Sequence, residues 1–174
     1  MTPRTRRRAG CWAVLLVAAL LCGLGAWSYG QARGDRSLAY AKARDTALAE
    51  GRRHLATLNS LDGENARRVD TGLRAWLDSS TGPLHDQLER TREADAKSLT
   101  AAGDTARGKV TSAALTALDE RTGTAELIAT VDVEVTPRTG AAGTQRKRFG
   151  ATLARTDDGW KVKALTAIGT GGGR

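Results

Sequence analysis

Few residues of this chain have the type and spacing that a catalytic or metal-binding site requires. The two histidines, His54 and His85, lie in helical segments without a ligand spacing such as His-Glu-x-x-His, and we expect both at exposed helix positions. Asp157 and Asp158 form a carboxylate pair, but adjacent aspartates before a glycine are typical of a turn. Both cysteines, Cys11 and Cys22, fall in an apolar N-terminal segment. We therefore predict no catalytic residue, no metal site and no cofactor, and a protein that is not an enzyme.

One basic run could bind an anionic surface. Arg146, Lys147 and Arg148 follow one another where a strand is expected to begin. A solvated strand edge is the simplest interpretation, and contact with anionic lipid headgroups or an acidic partner surface is the alternative. The formal charge of +8 falls by half once four N-terminal arginines are set aside, because 23 basic residues then face 19 acidic ones. This mixed, small excess disfavours nucleic acid as a partner.

The apolar segment predicts a membrane anchor. Cys11 to Tyr29 contains no charged residue, and as a helix it would span about 28 Å, close to the ~30 Å hydrocarbon core of a bilayer. Arginines precede it, and Trp27 and Tyr29 end it, as in helices that keep the arginines in the cytoplasm. We predict a cytoplasmic basic tail at 1–10, a transmembrane helix at 11–29 and an extracytoplasmic domain at 30–168. The protein is thus expected in the cell membrane, with the lipid bilayer as its first partner.

Two alternatives to a retained anchor remain open. A cleaved signal peptide has the same basic start and apolar middle, but no small-x-small site ends the run cleanly. Lipid attachment at Cys22 would need a small residue before it, where Leu21 stands. The retained anchor fits these features better than either alternative.

Helical periodicity covers the first part of the predicted domain. Apolar residues recur on one face from Asp35 to about Leu61, and a second, shorter helix is predicted from Glu64 to Leu77. A third helix is predicted with Pro83 in its first turn and Thr81 or Gly82 near its cap, and it is predicted to end at Ala101–Asp104.

Alternating patterns then indicate four strands. The predicted strands are 110–118, 124–136, 145–156 and a last one from Trp160 to Ala164, in which Trp160, Val162 and Ala164 are expected to face inward. An Asp-Gly hairpin turn at Asp157–Gly159 connects the last two, and 169–174 is predicted to be a disordered tail. Helices followed by hairpin-connected strands predict an α+β domain, with three helices packed on one face of a four-stranded antiparallel sheet.

Several short strings resemble one family. They are Leu58-Asn59-Ser60-Leu61-Asp62, Ser80-Thr81-Gly82 and the ending Arg155-Thr156-Asp157-Asp158-Gly159-Trp160-Lys161-Val162. With the basic start and single membrane helix, they resemble the actinobacterial Mce-associated membrane proteins. The resemblance implies an NTF2-like cone. It also implies a non-catalytic accessory role, in which the protein binds partner proteins and helps to assemble or stabilise an Mce-type lipid import complex in the cell envelope.

Three other functions are compatible with an NTF2-like cone. An enzyme of the ketosteroid isomerase kind is disfavoured, because Tyr40 is the sole tyrosine after the anchor and the carboxylates of the second strand alternate outward. A passive lipid- or sterol-binding cone would be lined by Leu127, Val131, Phe149 and Trp160. An NTF2-like assembly factor of a type IV secretion or conjugation channel would share the whole predicted topology.

Overall fold

The computed structural model describes residues 37–169. Residues 37–42 belong to an N-terminal unit of the chain, and the fold described below belongs to the unit that begins at Ala43. Among the described residues, no helix is both long enough and apolar enough to cross a membrane. The predicted basic tail at 1–10, the predicted transmembrane helix at 11–29 and residues 170–174 of the predicted C-terminal tail lie outside the described residues.

Residues 37–169 form three helices and five strands. The helices are α1 (37–58), α2 (Ala66–Ser79) and α3 (Gly82–Ala102), and the strands are β1 (Leu61–Asp62), β2 (Thr105–Asp119), β3 (Thr124–Thr136), β4 (Gly143–Thr156) and β5 (Gly159–Ala167). All neighbouring strands are antiparallel, in the order β1-β2-β3-β4-β5. The predicted α+β class is confirmed. The predicted count of four strands is wrong, because a short β1 pairs with the start of β2.

The ends of α2 and α3 follow from local capping. The Asn65 side chain accepts a hydrogen bond from the Arg68 N–H at 3.1 Å, so α2 begins two residues later than predicted. Helix α3 begins as predicted, with Thr81 at the N-cap and Pro83 in its first turn. It ends at Gly103, whose φ of 70° is the left-handed conformation that favours glycine.

Helix α1 ends at residue 58, three residues before the predicted end. The Asn59 side chain donates to the Leu55 carbonyl at 2.8 Å, and the Ser60 hydroxyl donates to the Ala56 carbonyl at 2.7 Å. The indole Nε1 of Trp76 on α2 donates to the carbonyls of Thr57 and Ser60 at 3.0 and 2.9 Å. These side chains satisfy the carbonyls at the helix end, so the chain can leave the helix and enter β1.

Strand β2 is longer and less regular than the sequence predicts. It begins at Thr105, and its register with β3 shifts at Thr111 and again at Thr116. The hydroxyls of these two threonines donate to the carbonyls of Thr130 and Glu126 on β3 at 3.2 and 3.3 Å. Each bulge adds one residue to the strand, so the inward positions are 110, 113, 115 and 118. Strict alternation therefore does not give the inward positions of this strand.

A third bulge changes the orientation of the end of β5. Val162 pairs with Leu153 while Ala164 pairs with Thr152, which leaves Lys163 as the extra residue. Trp160 and Val162 are buried as predicted, but Ala164 is exposed and Leu165 packs against the core instead. The predicted inward position of Ala164 is therefore wrong.

The main core lies between α1 and the inner face of the sheet. Leu55, Leu127 and Leu153 are fully buried there. A Cβ atom at Gly51 of α1 would come within 2.9 Å of the Leu153 side chain, so glycine brings the helix backbone close to the strands. At the β4–β5 hairpin, the Trp160 N–H donates to the Glu50 carboxylate of α1 at 2.6 Å. Helix α1 is thus held to the sheet by apolar packing and by one polar contact.

Candidate binding surfaces

The four residues predicted to line a cone are all buried. Leu127 and Trp160 belong to the main core beneath α1, and Val131 and Phe149 belong to a second cluster further along the sheet. Phe149 also borders a shallow groove of about 470 Å³. Leu127 and Trp160 fill the space between α1 and the sheet with side-chain packing. That the four residues line a ligand cavity stays a prediction.

A groove of about 570 Å³ opens between the end of α1, helix α2 and the first residues of β2. We call it the helix-end groove; its lining residues are Ala56, Thr57, Ser60, Leu61, Asp62, Arg68, Thr71, Gly72, Ala75, Thr105, Ala106 and Arg107. Small residues keep it open, since a Cβ atom at Gly72 would lie 2.9 Å from the Leu61 side chain. No sequence motif marks this groove, because its walls come from separate elements.

Charges on the rim of the helix-end groove are largely paired. The Arg68 guanidinium bonds Asp62 of β1 and also lies 2.8 Å from Glu64. The hydrogen bond from Arg68 lowers the pKa of the Asp62 carboxyl below its usual value. The rim therefore presents a compensated ion pair beside small, mostly apolar walls.

His54 lies in the buried face of α1, where an exposed position was predicted. Its side chain is 8% exposed, and it continues the spacing of Ala47 and Gly51 along the helix face that contacts the sheet. Its Nε2 accepts from the Arg53 guanidinium at 3.4 Å. Burial, and then the Arg53 charge, lower the pKa of His54, so the neutral ring is favoured. The prediction was wrong because a polar residue occupies a position in the buried, mainly apolar face of α1.

A polar cavity of about 430 Å³ adjoins His54. Arg53 and Lys161 contribute positive charge, and Asp78 and Asp158 contribute negative charge. Lys161 lies 3.3 Å from Asp158, so part of this charge is already paired. Because the cavity contains both positive and negative side chains, it does not favour a ligand of either charge.

His85 has a structural contact at the end of α2. Its Nδ1 lies 3.1 Å from the Leu77 carbonyl, which also accepts from the backbone and hydroxyl of Ser80. Within residues 37–169, no group of three His, Cys, Asp or Glu side chains is placed to hold a metal ion. Each histidine is thus engaged with neighbouring backbone or side-chain groups of the same domain.

The predicted basic run is exposed along β4. Arg146 forms a two-pronged pair with Asp132 of β3, at 2.8 and 3.2 Å, and this pair lowers the pKa of the Asp132 carboxyl. Arg148 points to the same outer face, because it pairs in register with Thr130, two residues from Asp132. Lys147 pairs with Val131 and alternates to the other face. The run therefore divides between two surfaces, and its contact with an anionic surface stays a prediction.

The chain matches no protein-family profile and no curated protein. Its fold does match solved structures. A periplasmic fragment of TraM is 13% identical, with a TM-score of 0.54 over 70% of this chain and 94% of that one. The domain shares this fold.

Two further solved structures give the same result. CagV, a VirB8 homolog of the type IV secretion system from Helicobacter pylori strain 26695, is 11% identical, with a TM-score of 0.53 over 71% of this chain and 97% of that one. The periplasmic domain of DotI is 11% identical, with a TM-score of 0.54 over 70% of this chain and 91% of that one. Identities this low establish a common fold, and function has to be argued separately.

Proposed function

We propose that this protein is a non-catalytic, membrane-anchored structural component of a type IV secretion or conjugation channel. The observation that carries the proposal is the match to TraM, CagV and DotI, which covers 91–97% of those chains. The likeness therefore spans nearly the whole of each neighbouring chain. This favours the secretion alternative over the Mce-associated assignment, for which neither a family profile nor a curated protein gives support.

The proposed fold assignment is NTF2-like. The arrangement in its favour is α1 lying on the inner face of a five-stranded antiparallel sheet. Folds of this kind carry many unrelated functions, so the assignment limits the architecture and not the activity.

The proposed location is the cell membrane, with the N-terminus in the cytoplasm and the folded domain outside it. The support is the charge-free segment at 11–29 with four arginines before it. A reporter fused after Arg174 tests this topology. We expect alkaline phosphatase to be active there and a cytoplasmic reporter to be inactive. The reverse pattern would overturn the proposed location.

The proposed lack of catalysis is supported by the surroundings of the polar groups. His54 and His85 contact groups of their own domain, and Asp62, Asp70 and Asp132 are each bonded to an arginine. Structural ion pairs of this kind perturb carboxyl groups without creating a reactive centre. The domain thus resembles a scaffold more than an active site.

The deciding experiment is recovery of partners from the native membrane. The tagged full-length chain is crosslinked in cells, extracted in mild detergent and analysed by mass spectrometry, and a tagged 1–42 fragment serves as the matched control. We expect channel components to be recovered with the full chain and not with the fragment. Recovery of Mce proteins would instead support a role in a lipid import complex. Recovery of the chain alone with one bound lipid per chain would favour the lipid-binding cone.

A further inference from the structure

The edge of the sheet at β2 is largely open. Strand β2 has 15 residues, and β1 pairs with it at Thr105 and Ala106 alone. Beyond Ala106, no strand in the described part of the chain pairs with this side of β2. At the opposite edge of the sheet, by contrast, the Thr81 N–H donates to the carbonyl of the buried Val162 at 2.9 Å. We call the uncovered side of residues 109–118 the β2 edge.

Backbone groups of the β2 edge point away from β3. In an antiparallel ladder, successive residues face alternately one neighbouring strand and the other. The carbonyls of Thr130 and Glu126 on β3 face β2, since each accepts from a threonine hydroxyl of that strand. The odd-numbered residues between them therefore face β4, and the β2 residues opposite those face the open side.

Ala113 and Leu115 are outward-facing residues of this kind, because they are the register partners of odd-numbered β3 residues. Gly108 has the same orientation, since its N–H donates to the Ser60 hydroxyl at the end of α1, at 2.9 Å. The N–H and C=O groups of Ala113 and Leu115 are therefore placed to pair with a further strand. An open edge with such groups is a template for strand addition.

The composition of the β2 edge does not oppose pairing. Charged residues and prolines usually protect a sheet edge from pairing with other chains. Residues 110–118 contain neither. The bulges at Thr111 and Thr116 divide the edge into short regular segments, so it suits a short added strand.

The apolar core is also open at the β2 edge. The register partners of its inward residues on β3 are at most 6% exposed. The inward residues of β2 itself are less well covered, and all four are only partly buried: Val110, Ala113, Leu115 and Leu118. A further strand with apolar side chains on the inner face would cover them, and the burial of this apolar surface is favourable.

Uncompensated positive charge lies at one end of the β2 edge. Lys109 is exposed and forms no ion pair within residues 37–169, and its register partner Asp132 is bonded instead to Arg146. At the other end, the Asp119 carboxylate accepts from two backbone N–H groups of the following turn, at 2.9 and 3.2 Å. An acidic group of an added segment is therefore complementary to the Lys109 end.

We propose that the β2 edge binds an extended segment of a partner protein by antiparallel strand addition. The added strand lies on the same side of β2 as β1, which is also antiparallel to β2. Its C-terminal end then comes beside Lys109. The segment has apolar residues at alternate positions and an acidic residue near its C-terminal end. This inference does not depend on the proposed function, because it concerns the pairing of one edge in whichever complex the chain joins.

Strand β3 shows the sequence pattern that pairs with β2. Its inward residues are apolar, and Asp132, near its C-terminal end, lies opposite Lys109. A copy of β3 shifted across β2 to the open side keeps the same inner and outer faces. It presents to β2 the backbone groups that β3 itself directs to β4, including those of Ala129 and Val131. A synthetic peptide of residues 124–136 is therefore a suitable probe of the β2 edge.

Backbone methylation of this peptide tests the proposal on the full-length chain in mild detergent. Binding of the labelled peptide is measured by fluorescence anisotropy, and we expect it to be saturable. Methylation of the Ala129 and Val131 nitrogens removes the N–H groups directed at β2, so binding should become about tenfold weaker. Methylation of the Ile128 and Thr130 nitrogens, which face away, is the matched control and should leave binding unchanged.

Three results of the methylation experiment would overturn the proposal. One is the absence of saturable binding of the unmodified peptide, and another is an equal effect of the two methylated pairs. The third is a reversed order, with the Ile128 and Thr130 pair more damaging, because the peptide would then be displacing β3 from the other side of β2.

Charge reversal tests the acidic end of the segment. Lys109→Glu should weaken binding of the unmodified peptide about fivefold. A peptide with Asp132→Lys should bind this variant more tightly than it binds the native chain. Arg90→Glu, at an exposed position of α3, is the matched control and should leave binding unchanged. Equal losses in the two protein variants would contradict the proposed antiparallel orientation and overturn the proposal.

Hydrogen exchange separates a partner segment from a second copy of the chain. The amides of Ala113 and Leu115 are expected to exchange rapidly at every protein concentration and to slow when the unmodified peptide is added. The amide of Ala114, which faces β3, is the internal control and should be protected throughout. If Ala113 and Leu115 instead become protected as the protein concentration rises without peptide, a second copy occupies the β2 edge and the proposal is wrong.

Discussion

The inner and outer faces of the sheet are made by the same strands but differ in what covers them. Leu127 and Ile128 are consecutive aliphatic residues of β3, yet Leu127 is 1% exposed and Ile128 is 47% exposed. The difference arises because successive side chains of a strand point to opposite faces, and α1 covers only one of them. Residue type alone therefore does not tell which face of this sheet is the core.

The two faces also use charge differently. On the inner side, one carboxylate, that of Glu50, accepts from the Trp160 backbone and fastens α1 to the hairpin. On the outer side, charged residues lie in rows at the two ends of the strands. The first arrangement stabilises a single domain, and the second is open to a partner.

The largest expected effect on the inner face comes from Trp160→Ala. The indole is 3% exposed in the main core, so its removal should lower the free energy of unfolding by about 3–5 kcal/mol. Urea denaturation followed by circular dichroism measures the loss. The matched control is Ile128→Ala on the outer face, which is expected to cost less than about 1 kcal/mol in the monomer. Similar losses for both variants would contradict the distinction between the faces.

The next largest effect on stability is expected from substituting Gly108, with Gly150 as the comparison. A Cβ atom at Gly108 would lie 2.6 Å from the Asn59 Cβ and 3.0 Å from the Ala56 carbonyl oxygen, where α1 ends against β2. Gly108→Ala should therefore destabilise the domain by about 1–3 kcal/mol through this overlap. At Gly150 on the outer face the nearest atom is 3.8 Å away, so Gly150→Ala should be close to neutral. The midpoints of thermal unfolding compare the two, and a more stable Gly108→Ala variant would show that the approach is less close than described.

Trp76→Phe should have a smaller effect. The phenyl ring keeps most of the apolar contact but loses the indole donor that serves the Thr57 and Ser60 carbonyls at the end of α1. A loss of about 1–2 kcal/mol is expected, because the one N–H that the two carbonyls share is removed. Hydrogen exchange should accelerate in the last turn of α1 and stay unchanged in the β3 amides. Uniform acceleration would mean that the ring matters for global packing and not for this helix end.

The smallest expected effect is a pH dependence from His54. Because burial holds its folded pKa below the ordinary 6.5, the unfolded chain binds the proton first as the pH falls. The contribution of neutral His54 to the free energy of unfolding is therefore fully present above about pH 6.5, and it is lost as the pH falls through the lower folded pKa. Urea midpoints between pH 7 and 5 measure this slope, and His54→Gln should flatten it. An unchanged slope in that variant would assign the effect to other groups.

Local features of the fold could be predicted wherever a short pattern is sufficient. The start of α3 at Thr81 and Pro83 and the position of the hairpin before Trp160 are both confirmed, because each depends on a few neighbouring residues. The turn itself differs from the predicted Asp-Gly type, since its two loop residues are Asp157 and Asp158 and Gly159 begins β5. The bulges at Thr111, Thr116 and Lys163 could not be predicted, since they are shifts of register between two strands. The helix-end groove has the same origin, because its walls come from separate elements.

The sequence by itself determined the order of the three helices and of the four longer strands, β2 to β5, and its N-terminal segment is predicted to cross the membrane. These depend on periodicity, capping and charge within short stretches of chain. The tertiary structure alone decided that His54 is buried, that Leu61 begins a strand and that Ile128 is exposed beside a buried neighbour. Each of these depends on which distant element covers the residue, and that contact forms only when α1 packs on one face of the sheet and leaves the other open.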